Sequence, residues 1–372
     1  MAKFHYLQSY LIMSATSQSA FIKRRHFLKQ TLAVSLSSAV NFPIRAYARA
    51  PLTVGVYEGA FRQVFEKAIY PEFTQATGIV INSIGIPSSD AWIGQLEVAL
   101  RNRFIPADVS LVSQLGMTSG EMLKVWATLD VNKLSNITHI APYLYQNLNA
   151  KQVYGIGAMS RALALVSDAT LYPTAPNRWA NLWAKDKNNK LGLMSLVNNG
   201  FLLEITALTF FNGLDILNTD EGVQKVFNQL RELKEQVTLW YRDAIQFPVA
   251  LKEKEITLGQ CYQDTALLAK EAGIKLNSEF PQEGTIVDTE YWAITAGSPQ
   301  QTEAEIFIDY LCQPAIQAKL TQHLHIIPLV EQRLLGIPVD SSVIPPRFGM
   351  PNYKLQTEKR DWLAQQWSEL IS

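Results

Sequence analysis

Carboxylates, phenols and hydroxyls stand at the ends of three apolar runs in the first third of the chain. Tyr57 and Glu58 end the run that begins at Leu52, Ser88 and Asp90 follow the run over 79–86, and Ser113 with Gln114 ends the run over 107–113. Such groups either hold a small polar ligand or cap the loops in which they sit, and residue type alone fits both uses. Covalent chemistry finds no equivalent set. The chain has no H-E-x-x-H, no G-x-S-x-G and no phosphate loop, and Gly155-Ile156-Gly157 is only the opening of a dinucleotide pattern. His323 and His325 lie two residues apart at a helix end, where capping and packing are the more ordinary uses. Arg161 and Arg242 offer forks for an anionic or zwitterionic solute, against a simpler reading of both as solvent-facing. These residue types point to a binding protein that needs no cofactor and no metal, not to an enzyme.

The elements that would position these groups alternate. The run over 52–57 reads as a strand, followed by a helix that carries Phe61, Val64, Phe65, Ala68 and Ile69 on one face. A second strand over 79–86 leads through Ser88-Ser89-Asp90, a helix N-cap pattern, to a helix whose stripe is Trp92, Leu96, Ala99 and Leu100. Residues 107–113 form a third strand. Strand, helix, strand at this spacing means crossover units and a mostly parallel sheet, with ligands beyond the carboxyl ends of its strands. The pattern restarts near residue 160. Strands are expected over 163–167, 191–197, 257–262 and 284–294, a buried helix over 202–211, an amphipathic helix over 220–235, and two more helices over 303–311 and 314–323. In the helix over 220–235, Val223, Val226, Phe227, Leu230 and Leu233 face inward while Lys225, Arg231, Glu232 and Lys234 stay in water.

The amino terminus has a different character. Six of the chain's 33 Lys and Arg residues, and none of its 33 Asp and Glu, fall in the first 48 positions. Arg24-Arg25-His26-Phe27-Leu28-Lys29 precedes a short apolar run over 31–40, then Ala46-Tyr47-Ala48. That order is expected of a cleaved signal peptide over 1–48, cut after Ala48, with a twin-arginine-like motif in which Lys23 replaces the usual Ser or Thr. An apolar run of about ten residues is too short to span a bilayer. Met13 is an alternative start. The remaining chain is net acidic by about six charges, which argues against nucleic acid as a partner. Its size implies two compact units. Cys261 and Cys312 are the only cysteines, and their spacing gives no reason to pair them.

Several phrases resemble one family. Tyr70-Pro71-Glu72-Phe73-Thr74-Gln75-Ala76-Thr77-Gly78-Ile79-Val80 resembles the first helix and second strand of periplasmic solute-binding proteins of ABC transporters. Arg178-Trp179-Ala180-Asn181-Leu182-Trp183, Leu258-Gly259-Gln260-Cys261-Tyr262, Pro281-Gln282-Glu283-Gly284 and Phe307-Ile308-Asp309-Tyr310-Leu311-Cys312-Gln313-Pro314-Ala315 follow in the family's order. The spermidine/putrescine-binding branch is the most similar. The resemblance implies an α/β fold of two lobes, each a mostly parallel sheet flanked by helices, with a ligand cleft between them. One lobe would comprise residues 51–156 and 287–326, the other 160–282 and 329–372. Crossings would fall near 155–158, 282–286 and 326–329.

It also implies a monomeric periplasmic protein that closes on a polyamine-like cation and delivers it to a membrane permease. A ligand sensor of the same fold is the alternative. So is a ferric-ion binder, which would draw on Tyr57, Tyr241, Tyr262 and Tyr291, although the adjacent tyrosine pair of that branch is absent. A polyamine needs carboxylates for its ammonium groups and aromatic walls along its chain. The branch places a Trp and an Asp after the P-x-E-G crossing. Here those positions are Asp288 and Glu290, so the second carboxylate is kept. The aromatic that ends a strand of the second lobe corresponds to Tyr262, followed by Gln263-Asp264-Thr265-Ala266. The expected ligand contacts are therefore Tyr57, Glu58, Ser88, Asp90, Ser113, Tyr262, Asp264, Asp288 and Glu290. Leu115 stands where the branch has an aromatic, and Asn198-Asn199-Gly200 where it has an acidic pair, with Glu204 nearby but out of register.

Overall fold

The computed structural model describes residues 50–87, 89–141, 144–147, 152–196 and 200–371. The expected signal peptide, Ser88, Asn198 and Asn199 lie outside them, as does the side chain of Asp90. Twelve strands are found among the described residues: β1 (Leu52–Tyr57), β2 (Ile81–Ile86), β3 (Val109–Ser113), β4 (Leu129–Asp130), β5 (Tyr145–Asn147), β6 (Gln152–Asp168), β7 (Leu191–Met194), β8 (Val237–Tyr241), β9 (Leu258–Tyr262), β10 (Leu276–Glu279), β11 (Thr285–Ile294) and β12 (Phe348–Gly349). Their pairing runs β2-β1-β3-β11-β6-β9-β7-β8. β1 pairs in parallel with both β2 and β3, while β11 enters antiparallel between β3 and β6.

The first crossover unit shows why its sequence folds locally as it does. Val54 and Val56 of β1 are buried, and the helical run that follows buries Phe61, Phe65, Ile69, Tyr70 and Phe73 against them. Pro71 lacks the N–H that an unbroken helix would use. The run accommodates it with a π-helical turn at Phe65–Ile69 and a fresh helix at Tyr70–Thr77. That helix ends on Gly78 at φ 74°, a left-handed cap that suits glycine. The expected amphipathic helix is Asp220–Leu230, capped by Thr219 and continued as a 3₁₀ turn to Gln236.

The apolar side chains gather around two sheets. One cluster holds Leu52, Val54, Phe65, Phe73, Val109, Ile156, Trp292, Phe307 and Leu320, with a smaller one beside it around Trp92, Trp126 and Tyr291. The other holds Leu163, Trp179, Leu191, Phe227, Tyr241, Leu258, Leu363 and Trp367. Val330 and Leu335 still pack with the first cluster, so the stretch after the third crossing stays with the first sheet for several residues. Cys261 and Cys312 are both buried and unpaired. Among the described residues no helix is long and apolar enough to cross a membrane.

What joins the sheets is one long strand. β6 runs 17 residues without a break. It pairs with β11 from Gly155 to Ala162 and with β9 from Leu163 to Ser167, so it changes sheets between Ala162 and Leu163, later than the expected 155–158. Gly155 and Gly157, at the expected crossing, mark close packing inside the strand. A Cβ on Gly155 would lie 2.7 Å from Met117 Cε, and one on Gly157 2.7 Å from Leu329 Cδ1. Beside this switch Ser160 exchanges backbone hydrogen bonds with Ile327, at 2.9 and 2.8 Å, and its hydroxyl meets Thr289 Oγ1 at 2.8 Å. The three crossing segments therefore lie side by side.

Candidate functional site

The carboxylates collect at this junction. Asp288 and Glu290 lie two residues apart on β11 and so share one face of the strand. Asp288 stands opposite Arg161 on β6, and Glu290 opposite Ser113 on β3. Asp288, Glu290, Arg161 and Asp264 are all buried.

Arg161 is the centre of the arrangement. Its Nε and Nη2 donate to Asp264 Oδ2 and Oδ1, each at 2.7 Å, a bidentate charge-assisted pair. Tyr262 stacks under the guanidinium at 3.9 Å from ring centroid to Cζ, and Phe61 approaches from the other sheet at 4.9 Å. The remaining nitrogen, Nη1, stands 3.8 Å from Glu290 Oε1. Asp264 opens the helix Gln263–Glu271, which starts directly after β9. A strand-to-helix junction thus delivers both Tyr262 and Asp264 to the guanidinium.

Asp288 and Glu290 have neutral close donors instead. Tyr57 at the end of β1 donates its hydroxyl to Glu290 Oε2 at 2.8 Å and meets Ser89 Oγ at 2.9 Å. Burial, then the charge of Glu290, push the Tyr57 phenol well up, so it stays protonated and able to donate. Asp288 Oδ1 accepts from the Thr289 backbone N–H at 2.9 Å and from the Tyr353 hydroxyl. Burial raises Asp288 to about 6. Burial, reinforced by repulsion from Asp288, raises Glu290 to about 8, against the opposing pull of Arg161.

Six of the nine expected contacts are in this neighbourhood: Tyr57, Ser113, Tyr262, Asp264, Asp288 and Glu290. Ser113 supports the site more than it faces it. Its hydroxyl accepts from Gly116 N at 3.2 Å to cap the helix Gln114–Met122, and its backbone N–H donates to Ser89 Oγ at 2.9 Å. Glu58 is not brought in. Its side chain is 53% exposed and, from the turn before the helix Ala60–Val64, pairs with Arg62 at 3.1 Å on the surface. Of the tyrosines considered for ferric ion, Tyr241 donates its hydroxyl to Gln260 O at 2.8 Å. His325 pairs with Glu271 at 2.9 Å. Among the described residues no group of three or more His, Cys, Asp and Glu is placed to hold a metal ion.

Sequence reasoning missed three parts. Arg161 is buried, not solvent-facing. The one signal was a single charge inside the apolar run Ala158-Met159-Ser160-Arg161-Ala162-Leu163-Ala164. Tyr353 comes from the carboxyl-terminal segment, and no local pattern marks it. Glu204, out of register with the family's acidic pair, is nevertheless buried: Oε1 accepts from Asn352 N at 3.3 Å and Gln356 Nε2 at 3.2 Å, while Oε2 has no hydrogen-bond partner among the described residues. Burial raises it to about 7.

The two sides of the site also touch at its rim. A Cβ on Gly59, which has φ 90°, would lie 2.9 Å from Ile245 Cδ1, and the helix Tyr353–Glu358 packs on the helix Gln114–Met122.

Comparison with known proteins identifies the family and the fold. The family described as bacterial extracellular solute-binding protein matches residues 68–343. The gamma-aminobutyric acid-binding protein of Pseudomonas aeruginosa is 26% identical over 253 residues, covering 60% of this chain and 70% of that protein. The spermidine/putrescine-binding periplasmic protein of Escherichia coli is 22% identical over 254 residues, 68% of this chain and 70% of that one. Among solved structures, an ABC transporter substrate-binding protein from Bradyrhizobium japonicum superposes with a TM-score of 0.74 at 19% identity, covering 87% of this chain and 100% of that one.

Proposed function

The chain belongs to the family of bacterial extracellular solute-binding proteins, and on that premise we propose that it captures a small solute bearing an ammonium group, a polyamine such as putrescine or spermidine being the most direct candidate. The observation that carries this reading is the charge balance of the buried site. Three carboxylates share one guanidinium, and that guanidinium is already committed to Asp264. Asp288 and Glu290 have only neutral hydroxyl and amide groups as hydrogen-bond donors, and beyond them only the longer 3.8 Å approach of Arg161 Nη1 to Glu290, so three carboxylates face one guanidinium and the charge that is lacking is positive. Tyr57, Phe61 and Tyr262 supply aromatic faces beside it.

In this reading the protein is exported by the leader at 1–48 and acts as a monomer, closing on its ligand and handing it to the permease of an ABC importer. The lobes are taken as 51–162 with 287–339 and 163–282 with 340–372, a shift from the expected bounds because β6 pairs with β11 up to Ala162 and Val330 and Leu335 pack with the first cluster. Closure bends β6 and β11 at the switch and brings Gly59 to Ile245. No bond is made or broken in the ligand.

A second reading has its own observation. Arg161 keeps Nη1 outside the Asp264 pair, which would suit the carboxylate of an ω-amino acid whose ammonium lies on Asp288 and Glu290. The relative from Pseudomonas aeruginosa is named for such a ligand. A thermal-shift series with putrescine, spermidine, γ-aminobutyrate and ferric citrate separates these readings. A ligand at about 100 times its Kd adds roughly 2.7 kcal/mol of stability, so the true ligand class raises Tm by several degrees. Stabilisation by ferric citrate with silence from all three amines would overturn the ammonium reading.

A further inference from the structure

The same carboxylates lead to a statement about protons. Asp288 and Glu290 sit on β11, paired with β6 beside the point where β6 changes sheets, and both are buried. Among the described residues, the charged or titratable groups facing them come from several elements. β6 contributes Arg161, already paired with Asp264 from the helix Gln263–Glu271. β1 contributes Tyr57, β9 contributes Tyr262, and the helix Tyr353–Glu358 contributes Tyr353. The helix Leu202–Phe210 contributes Glu204, which feels the charge of Asp288. Of these, only Arg161 is a cation. With all carboxylates ionised, the hinge would enclose Asp264, Asp288 and Glu290 against the single guanidinium of Arg161, whose two short hydrogen bonds go to Asp264 and which reaches Glu290 only at 3.8 Å.

We propose that the closed hinge holds either a ligand's ammonium or a proton on the Asp288–Glu290 pair, and that the two compete. This rests on the ammonium reading above and adds a control to it. In the protonated form one carboxyl O–H satisfies the pair. When the ligand enters, that O–H bond breaks, its electrons stay on the carboxylate oxygen, and the proton passes to water or buffer. An ammonium N–H then donates to the same oxygen. Burial, together with the repulsion of Asp288 on Glu290, holds the pair's protons above the ordinary carboxylate range. The sign follows. Below that raised range the proton occupies the site and must be expelled, so affinity for a cation falls as pH falls, by up to about tenfold per pH unit. Unperturbed carboxylates would leave affinity flat above about pH 5.5.

Isothermal titration of the whole chain with putrescine, from about pH 5.5 to 8.5 and in two buffers of different ionisation enthalpy, reads both quantities. The expected result is a Kd that rises toward acid, with a fraction of a proton, up to one, released per ligand bound. Glu290→Gln should weaken binding and flatten the slope. Tyr57→Phe removes a donor that favours ionised Glu290, so the pH dependence should move upward; this variant decides the matter if Glu290→Gln fails to fold. Glu204→Gln should leave the slope in place. A pH-independent Kd without proton release overturns the proposal and leaves the ammonium reading standing, whereas a slope lost in Glu204→Gln but kept in Glu290→Gln overturns the assignment to the pair. Absence of binding by putrescine, spermidine and γ-aminobutyrate at about pH 8.5, where the proton competes least, removes the ammonium reading and this inference together.

Discussion

Arg161 and Asp264 meet across 103 residues of sequence, and neither has water to fall back on. Removing one member of a buried pair costs more than the pair contributes, because the survivor keeps its charge without a counter-ion. Arg161→Met is therefore expected to destabilise the fold by about 3–5 kcal/mol in urea unfolding, and adding Asp264→Asn should return much of that loss. A single-variant cost under about 1 kcal/mol would mean that the pair does not hold this junction. The asymmetry of what was legible has the same root. Asp288, Glu290 and Tyr262 could be picked out because each sits in a recognisable local phrase. The burial of Arg161 depends on partners far along the chain, and a lone arginine reads by default as exposed. Glu58 failed in the opposite sense, since an arginine four positions on draws it to the surface.

Helices and short strands were readable from apolar spacing, whereas the length of β6 was not. A strand buried on both faces has no alternation to reveal where it starts, and two glycines inside it imitate a turn. Glycine elsewhere in the sheets has the same meaning. A Cβ on Gly259 would lie 2.0 Å from Gly192 O on the paired strand β7 and 2.7 Å from the Phe247 ring. The backbone carbonyl cannot rotate away without loosening the ladder. Gly259→Ala should cost about 1–3 kcal/mol and lower the urea midpoint, while Gly94→Ala, in a helix where the new methyl meets nothing, should not. Equal midpoints for the two variants would remove steric contact as the reason for glycine at 259.

Across the molecule, the close approach of Gly59 to Ile245 would, in the proposed closure, limit how near the two sides come. Ile245 is 44% exposed, so its replacement perturbs the rim more than the core. Ile245→Trp places a larger side chain against a glycine that cannot yield. The expected result in small-angle scattering is a radius of gyration that stays larger than the parent's in saturating putrescine, with weaker binding; an unchanged radius would show that closure stops elsewhere.

The threading of β6 through both sheets, with β11 between β3 and β6, also sets the order in which the protein can be completed during synthesis. β11 lies between β3 and β6, so the first sheet stays open until residue 294 has left the ribosome, although its first strand appears at residue 52. The second sheet's core closes later still, since it includes Trp367 and Leu370. No continuous stretch of the gene encodes one half alone. A nascent chain spends most of its translation with unfinished sheet edges, and a truncation at the carboxyl end leaves no intact module behind.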